Sequence, residues 1–114
     1  MKKLYFFLII TVNVFISNAQ IVNIPDANFK TKLLASSTSN TIARNLSGYN
    51  IKIDANSDNE IQVTEALQVG YLNVSSSSIS NLEGISSFTA LFELYCMSNQ
   101  LTTLNLSRDR RAHV

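Results

Sequence analysis

The chain has one cysteine, one histidine, one proline and no tryptophan among its 114 residues. A single cysteine, Cys96, cannot form an internal disulfide, so no covalent cross-link supports the fold. The one histidine, His113, lies one residue from the end of the chain. It gives no basis for a Ser-His-Asp or Cys-His catalytic arrangement or for a multi-histidine metal site. These absences argue against a disulfide-rich scaffold and against an enzyme of those classes.

Residues 1–19 have the pattern of a secretory signal peptide. Lys2 and Lys3 precede a mostly apolar run, residues 4–16, and Ser17-Asn18-Ala19 supplies small residues for cleavage before Gln20. The alternative is a transmembrane anchor, but the run is shorter than the roughly 20 apolar residues that span a bilayer, and no second run follows. We therefore expect a secreted or cell-surface protein without a membrane span after cleavage.

The mature chain would be almost neutral. Cleavage removes two of the nine basic residues and leaves seven against eight acidic ones. Neither nucleic acid nor an anionic membrane is indicated as a partner by that balance. The remaining segment, 20–114, suffices for one small domain with a limited core.

Residues 20–68 are predicted to form an N-terminal cap. The segment 25–35 is predicted to be a helix, because Pro25 suits a helix start and Phe29, Leu33 and Leu34 share one face. The segment 41–53 has two interpretations. One is a helix with Ile42, Leu46, Tyr49 and Ile53 on a face; the other is a strand in which Tyr49, Ile51 and Ile53 alternate.

Residues 69–107 contain a repeat. Alignment of 69–82 with 91–104 places Val69 on Leu91, Leu72 on Leu94 and Val74 on Cys96, and three more pairs match at the same offset. The second copy, 91–101, fits the leucine-rich-repeat pattern L-x-x-L-x-[LC]-x-x-N-x-L. In such a repeat a short strand points alternate apolar residues inward, and the Asn99 side chain satisfies backbone groups at the bend. Cys96 would then be a small buried hydrophobe.

Three stretches carry a family resemblance: "IPDANFKTKLL", "EIQVTEAL" and "LNVSSSSISNLEGISSFTALFELYCMSNQLTTLNLS". Together they resemble the N-terminal part of secreted leucine-rich-repeat proteins of Bacteroidetes, with repeats similar to the internalin type. The resemblance implies further repeats and a C-terminal sorting domain, neither of which is in this sequence. Instead the chain ends in an atypical tail, residues 108–114, which indicates either a solvated terminus or a truncation or frame shift.

An acidic loop, residues 54–65, holds four of the eight acidic residues. Counted from Asp54, its polar residues fall at positions 1, 3, 5, 7, 9 and 12, the ligand spacing of an EF-hand calcium loop, with Ile61 as the apolar residue at position 8. Calcium needs six to eight hard oxygens, which this register supplies by wrapping the chain round the ion. The predicted ligands are Asp54, Asn56, Asp58, Glu60 through its carbonyl, Gln62 and Glu65.

Position 6 of the loop is Asn59, where glycine is the rule because the chain turns with φ above zero. Asn tolerates that conformation best among the other residues, so weakened calcium binding is expected. A single loop of this kind would bind with a Kd on the order of 10⁻⁴ to 10⁻³ M. The alternative is a polar turn whose Asp and Asn side chains only bend the chain and cap helices.

The fold class predicted is α/β: a short leucine-rich-repeat solenoid preceded by an α-helical cap with an EF-hand-like loop. Its strands would expose one face on which repeat proteins usually bind partners, with Tyr95 and Met97 as the main contacts. An alternative is that these residues merely coat the surface. The predicted face comprises Asn73, Ser75, Glu93, Tyr95, Met97, Thr103 and Asn105.

The function expected is non-enzymatic binding of a protein or glycan at the cell surface, with calcium stiffening the cap. Two alternatives stay open. The chain could be an inactive truncated fragment, as the tail would indicate, or a non-catalytic module of a larger secreted enzyme.

Overall fold

The computed structural model of the protein describes residues 20–102 and 112–113. The predicted signal peptide, Thr103, Asn105 and most of the tail lie outside the described residues. Four short strands form one sheet in the order β1-β2-β3-β4. The elements are α1 (Ala27–Leu34), β1 (Ala43–Arg44), α2 (Val63–Ala66), β2 (Tyr71–Asn73), a 3-10 helix (Ile85–Ser87), β3 (Glu93–Tyr95) and β4 (Ala112–His113).

Helix α1 confirms the helix predicted from the sequence. Asp26 is its N-cap and accepts a hydrogen bond from the Phe29 N–H at 2.9 Å, which satisfies one of the free donors of the first turn. Phe29 and Leu33 share the buried face. After the helix, Ser36 is buried and donates to the Leu33 carbonyl, so the polar run turns the chain back without leaving a buried hydroxyl unpaired.

The repeat in the sequence is a repeat in space. Strands β2 and β3 pair in parallel, and Tyr71, Leu72 and Asn73 lie opposite Glu93, Leu94 and Tyr95. Every pair has the same separation along the chain as the pairs of the sequence alignment, so the predicted offset is confirmed by the register. The bends that follow the two strands also correspond: Ser76 and Ser98 both take left-handed backbone angles, with φ of 54° and 58°.

One hydrophobic core joins the cap and the repeats. Phe29 and Leu33 of α1 and Ile53 and Ile61 of the connecting segments belong to the same buried cluster as the inward residues of the repeats. Cys96 is buried there, as expected, and burial raises the pKa of its thiol. Residues 20–68 and the repeats therefore share a single core. The inward residues of the repeats are Val69, Leu72, Val74, Ile79, Leu82, Phe88, Leu91, Leu94 and Cys96.

The segment 41–53 contains one short strand and a turn, so its helical interpretation is wrong, and Tyr49, Ile51 and Ile53 do not form the predicted strand either. Ala43–Arg44 pairs antiparallel with β2, and the next residues make a turn in which Gly48 has φ 89°. Leu46 and Tyr49, placed on one buried face by the helical interpretation, are 62% and 72% exposed. Backbone pairing to β2 thus prevails over the weak helical periodicity.

Strand β4 departs from the repeat spacing. It pairs in parallel with β3, but Leu94 lies opposite Ala112, which is closer along the chain than Leu72 is to Leu94. The departure agrees with the atypical sequence of the tail. No helix in the described part of the chain is both long enough and apolar enough to cross a membrane.

Candidate functional site

The acidic loop is organised around the Asp54 carboxylate. Asp54 is 3% exposed, and its two carboxylate oxygens accept hydrogen bonds from the backbone N–H groups of Asp58, at 3.2 Å, and Asn59, at 2.9 Å. A buried carboxylate requires such donors, because loss of hydration would otherwise disfavour its charge. Position 1 of the loop therefore fixes the backbone at positions 5 and 6.

Asn59 makes the turn that the spacing requires at position 6. Its φ is 65°, in the left-handed region, and its N–H points to Asp54. Asn enters this region at lower cost than other residues with a Cβ. The backbone at this position thus has the conformation expected there of glycine.

Asp58 and Gln62, positions 5 and 9, are in direct contact. Gln62 Nε2 donates to Asp58 Oδ2 at 2.6 Å, and Asn56 Nδ2 donates to the same oxygen at 3.4 Å. The other oxygen, Oδ1, accepts from the Glu60 N–H at 2.9 Å. These hydrogen bonds, that from Glu60 first, lower the pKa of Asp58 below its ordinary value. Asp58 is therefore a carboxylate at neutral pH.

The Glu65 carboxylate closes the loop from the other side. Its Oε1 accepts from the Gln62 N–H at 3.0 Å and its Oε2 from the Asn56 N–H at 3.4 Å. Glu65 lies in the first turn of α2, directly after the loop. One side chain thus spans positions 3 and 9, and both of its oxygens face the loop backbone.

Glu60, at position 7, turns its side chain away from the loop. Its Oε1 pairs with Lys30 Nζ of α1 at 2.6 Å, and both side chains are partly exposed. The sequence assigns a backbone carbonyl and no carboxylate to position 7, and that assignment stays a prediction. The side chain ties the loop to α1 instead.

Gln62 has a buried oxygen with no hydrogen-bond partner. The residue is 6% exposed, and its Oε1 meets no donor, because the Glu65 N–H donates to the Gln62 backbone carbonyl instead. An unsatisfied buried acceptor is costly and calls for an explanation. Here it belongs to a residue that contacts the carboxylates of both Asp58 and Glu65. The amide nitrogen of Gln62 faces Asp58, and the backbone N–H faces Glu65.

The donor set of the acidic loop fits calcium in kind. Carboxylate, amide and carbonyl oxygens are the hard ligands that calcium takes, and the six predicted ligand positions offer such oxygens. Within the described residues, no group of three or more His, Cys, Asp and Glu side chains lies close enough to hold a metal ion. The carboxylates are occupied by backbone N–H groups, so binding requires them to exchange those bonds for the ion.

The second candidate region is the outward face of β2 and β3. Asn73, Glu93 and Tyr95 are half-buried, and Met97 is 42% exposed. Tyr95 donates its hydroxyl to Glu93 Oε2 at 2.7 Å, which raises the tyrosine pKa. Ser75, predicted on the same face, accepts a hydrogen bond from the Met97 N–H with its hydroxyl oxygen. Ser75 therefore holds the two repeats together.

Two residues of this face were missed in the sequence. The rings of Tyr71 and Tyr95 lie 5.6 Å apart between centroids, tilted by 47°, and the Arg44 guanidinium lies 4.6 Å from the Tyr71 centroid. Tyr71 precedes Asn73 by two positions, so strand alternation could have found it. Arg44 could not be found that way, because its place depends on the antiparallel pairing of Arg44 with Tyr71. We call Arg44, Tyr71, Asn73, Glu93, Tyr95 and Met97 the strand face.

Asn99 has the position and contacts of the repeat asparagine. Its Oδ1 accepts from the N–H groups of Ser77 and Ile79, and its Nδ2 donates to the carbonyls of Val74 and Cys96. The side chain thus satisfies the backbone of its own repeat and of the preceding one. With the parallel register of the two repeats and the shared core, these contacts define a leucine-rich-repeat-like arrangement.

Comparison with known proteins agrees with this fold. No protein family description matches the chain, and no curated protein matches it. Among solved structures it is similar to the functional domain of InlJ from Listeria monocytogenes, an internalin-like protein whose domain includes a cysteine ladder. The identity is 26% and the TM-score 0.52, and the likeness covers 82% of this chain but 18% of that one. The chain therefore resembles a short part of a surface-protein repeat domain.

Proposed function

We propose that this chain is an exported, non-enzymatic binding module in which the strand face of a leucine-rich-repeat solenoid contacts a protein at the cell surface. The main support is the packed group formed by Arg44, Tyr71 and Tyr95, with Met97 exposed beside it. Tyrosine, arginine and methionine are enriched at protein interfaces, where the few residues that dominate affinity are found. The likeness to the InlJ domain supports a repeat module.

A protein partner suits this face better than a glycan. Sugars stack on open, flat aromatic surfaces, but the two tyrosine rings are tilted by 47° and Arg44 covers one face of Tyr71. A hydrogen bond fixes the Arg44 side chain in this position, because its Nε donates to Asn50 Oδ1 at 3.3 Å. A pre-organised cation beside two aromatic rings favours an acceptor group carried by a partner side chain or backbone.

The proposal includes calcium as a stabiliser of the cap. When bound, the ion supplies positive charge that cross-links the acidic loop. The backbone geometry at Asn59 and the unsatisfied Gln62 Oε1 support such a site. The oxygens that would hold it come from Asp54, Asn56, Asp58, the Glu60 carbonyl, Gln62 and Glu65.

Site-specific photocrosslinking tests the strand face. A benzophenone amino acid is placed at Tyr95, or at the exposed Ser86 of the 3-10 helix as a matched control, in the mature chain. On intact cells of the source organism, we expect a protease-sensitive adduct from position 95 that is absent from position 86 and lost with Arg44→Ala. Equal adducts at both positions would contradict the proposed face. Cell binding that survives protease treatment would indicate a glycan instead.

A further inference from the structure

The N-terminal end of the described chain pairs with the acidic loop. The Val22 N–H donates to the Ile61 carbonyl at 2.8 Å, and the Val63 N–H donates to the Gln20 carbonyl at 2.8 Å. Between these bonds Ile21 lies opposite Gln62 in an antiparallel bridge. Positions 8 and 10 of the loop, which are Ile61 and Val63, therefore have their backbone groups satisfied by residues 20–22.

The same segment continues to the first repeat. Oδ2 of Asp26 accepts from the N–H groups of Ser80, at 2.9 Å, and Asn81, at 3.1 Å. Asn28 Nδ2 donates to the Ser78 carbonyl at 2.9 Å. Residues 78–81, the bend after the first repeat strand, are thus held by side chains that precede them by about 50 positions in sequence. We call residues 20–30 the strap.

The backbone of the strap also lies close to the backbone of the first repeat. Gly84 has φ 106°, and a Cβ at that position would lie 2.8 Å from the Asn23 carbonyl oxygen. At its other end, the strap returns to the loop through the Lys30–Glu60 ion pair. The strap therefore contacts the loop at both ends and the first repeat in between.

We propose that the strap is the positioning element of the acidic loop and couples the state of the loop to the first repeat. The pairing of residues 20–22 with the loop backbone is what places Ile61 and Val63. Ordering Ile61 and Val63 orders residues 20–22, and this holds Asp26 and Asn28 against residues 78–81. For its calcium-dependent part this inference rests on the proposed function, and the coupling is reciprocal by thermodynamic necessity.

A single backbone hydrogen bond offers the test. Val63 is the first residue of α2, where proline is tolerated, and the preceding Gln62 has φ −81° and ψ 156°, which a following proline allows. Val63→Pro removes the N–H that binds Gln20, whereas the matched variant Val63→Ala shortens the side chain and keeps that N–H. Amide hydrogen exchange by NMR is compared between the two variants in the full mature chain.

Without calcium, we expect the Ser80 and Asn81 amides to exchange roughly 2- to 10-fold faster in Val63→Pro than in Val63→Ala, the loss expected for one hydrogen bond. The Val74 amide, which donates to the Tyr95 carbonyl between β2 and β3, serves as the internal control and should exchange alike in both. Equal exchange at Ser80 and Asn81 overturns the coupling.

A second pair of variants covers the case in which Val63→Pro does not fold. Glu60→Ala removes the acceptor of Lys30, and Glu60→Gln restores an acceptor without the charge; neither touches residues 78–81. We expect faster exchange at Ser80 and Asn81 in Glu60→Ala, with partial recovery in Glu60→Gln. Identical exchange in the two variants and the parent chain overturns the proposal.

A calcium arm separates this inference from the proposed function. With millimolar calcium, we expect slower exchange at Asn59 and Glu60 in both Val63 variants, but slower exchange at Ser80 and Asn81 only in Val63→Ala. No change at Asn59 and Glu60 refutes calcium binding by the loop, while the calcium-free comparison still decides the coupling. If calcium slows exchange at Ser80 and Asn81 equally in both variants, the strap does not transmit calcium binding from the loop to the first repeat.

Discussion

Asn99 binds the backbone of Ser77, the residue 22 positions before it, at 2.9 Å. The first repeat has serine where the second has asparagine, so one amide serves the bends of both. We expect Asn99→Ala to lower the free energy of unfolding by about 2 to 3 kcal/mol, because several backbone groups at the bend lose their partner. The exposed neighbour variant Gln100→Ala should change it by less than about 0.5 kcal/mol. Urea unfolding of both variants measures the difference.

The repeat and the backbone turn at Asn59 could be predicted because their signals are local or periodic. The fixed repeat offset aligns inward positions such as Leu72 and Leu94, and the structure places those residues opposite each other. The loop spacing required a left-handed residue at Asn59, and it has one. Each feature depends on residue types at fixed separations, which a sequence displays directly.

The strap and the place of Arg44 on the strand face could not be predicted, because they depend on contacts between distant segments. Asp26 is recognisable as a helix cap, and nothing near it in sequence indicates that its second oxygen binds Ser80, 54 residues later. Arg44 reaches Tyr71 only because the short strand β1 pairs with β2, in a segment whose local pattern also allowed a helix. Pairing with a distant strand decides whether such a segment is helical or extended, and its local secondary-structure propensity does not.

Asn59 is expected to respond to substitution through its backbone. Its φ of 65° is costly for residues with a Cβ other than Asn and Asp, so Asn59→Ala should lower the free energy of unfolding by about 1 kcal/mol. Asn59→Gly should leave it within about 0.5 kcal/mol and tighten calcium binding, because glycine takes this conformation without strain. Chemical denaturation and calcium titration of the two variants provide the measurement. A more stable alanine variant would contradict the argument.

Asp26 should make stability depend on acid pH. Burial by itself raises the pKa of its carboxyl, but hydrogen bonds from Phe29, Ser80, Asn81 and Asn28 outweigh it and hold the pKa below the ordinary 3.8. Because the folded pKa is depressed, the unfolded chain binds the proton first as pH falls. The stabilisation by Asp26 is complete above the ordinary pKa and is lost as pH falls through the lower native one.

The variant Asp26→Asn isolates this contribution, because its amide cannot accept from Ser80 and Asn81 as a carboxylate does. We expect a difference of about 1 to 2 kcal/mol in unfolding free energy between the parent chain and the variant at neutral pH. That difference should shrink below the ordinary pKa. Urea unfolding at a series of pH values measures it, and a difference that grows toward low pH would contradict the assignment.

Two glycines with positive φ form a natural pair for testing the strap contact. Gly48 has φ 89° and nothing within 4 Å of the place a Cβ would occupy, whereas Gly84 has φ 106° and would clash with the Asn23 carbonyl. Gly48→Ala should cost about 1 to 2 kcal/mol from backbone strain alone. Gly84→Ala should cost more, because the first repeat must also separate from the strap. Equal losses in thermal and urea unfolding would show that the clash is relieved without cost.

Glu65 provides the sharpest test of calcium binding. With a Kd on the order of 10⁻⁴ to 10⁻³ M, about 10 mM calcium should raise the free energy of unfolding by about 1.4 to 2.7 kcal/mol. Glu65→Ala should abolish that gain, since the proposed site takes both carboxylate oxygens of this residue, which lies in the first turn of α2. The variant also loses its bonds to Gln62 and Asn56, so the quantity to compare is the change on adding calcium. The control variant Glu83→Gln removes a carboxylate outside the loop and should retain the full stabilisation by calcium. Identical melting curves of the parent chain with calcium and with chelator would refute the site and leave the loop as a polar turn.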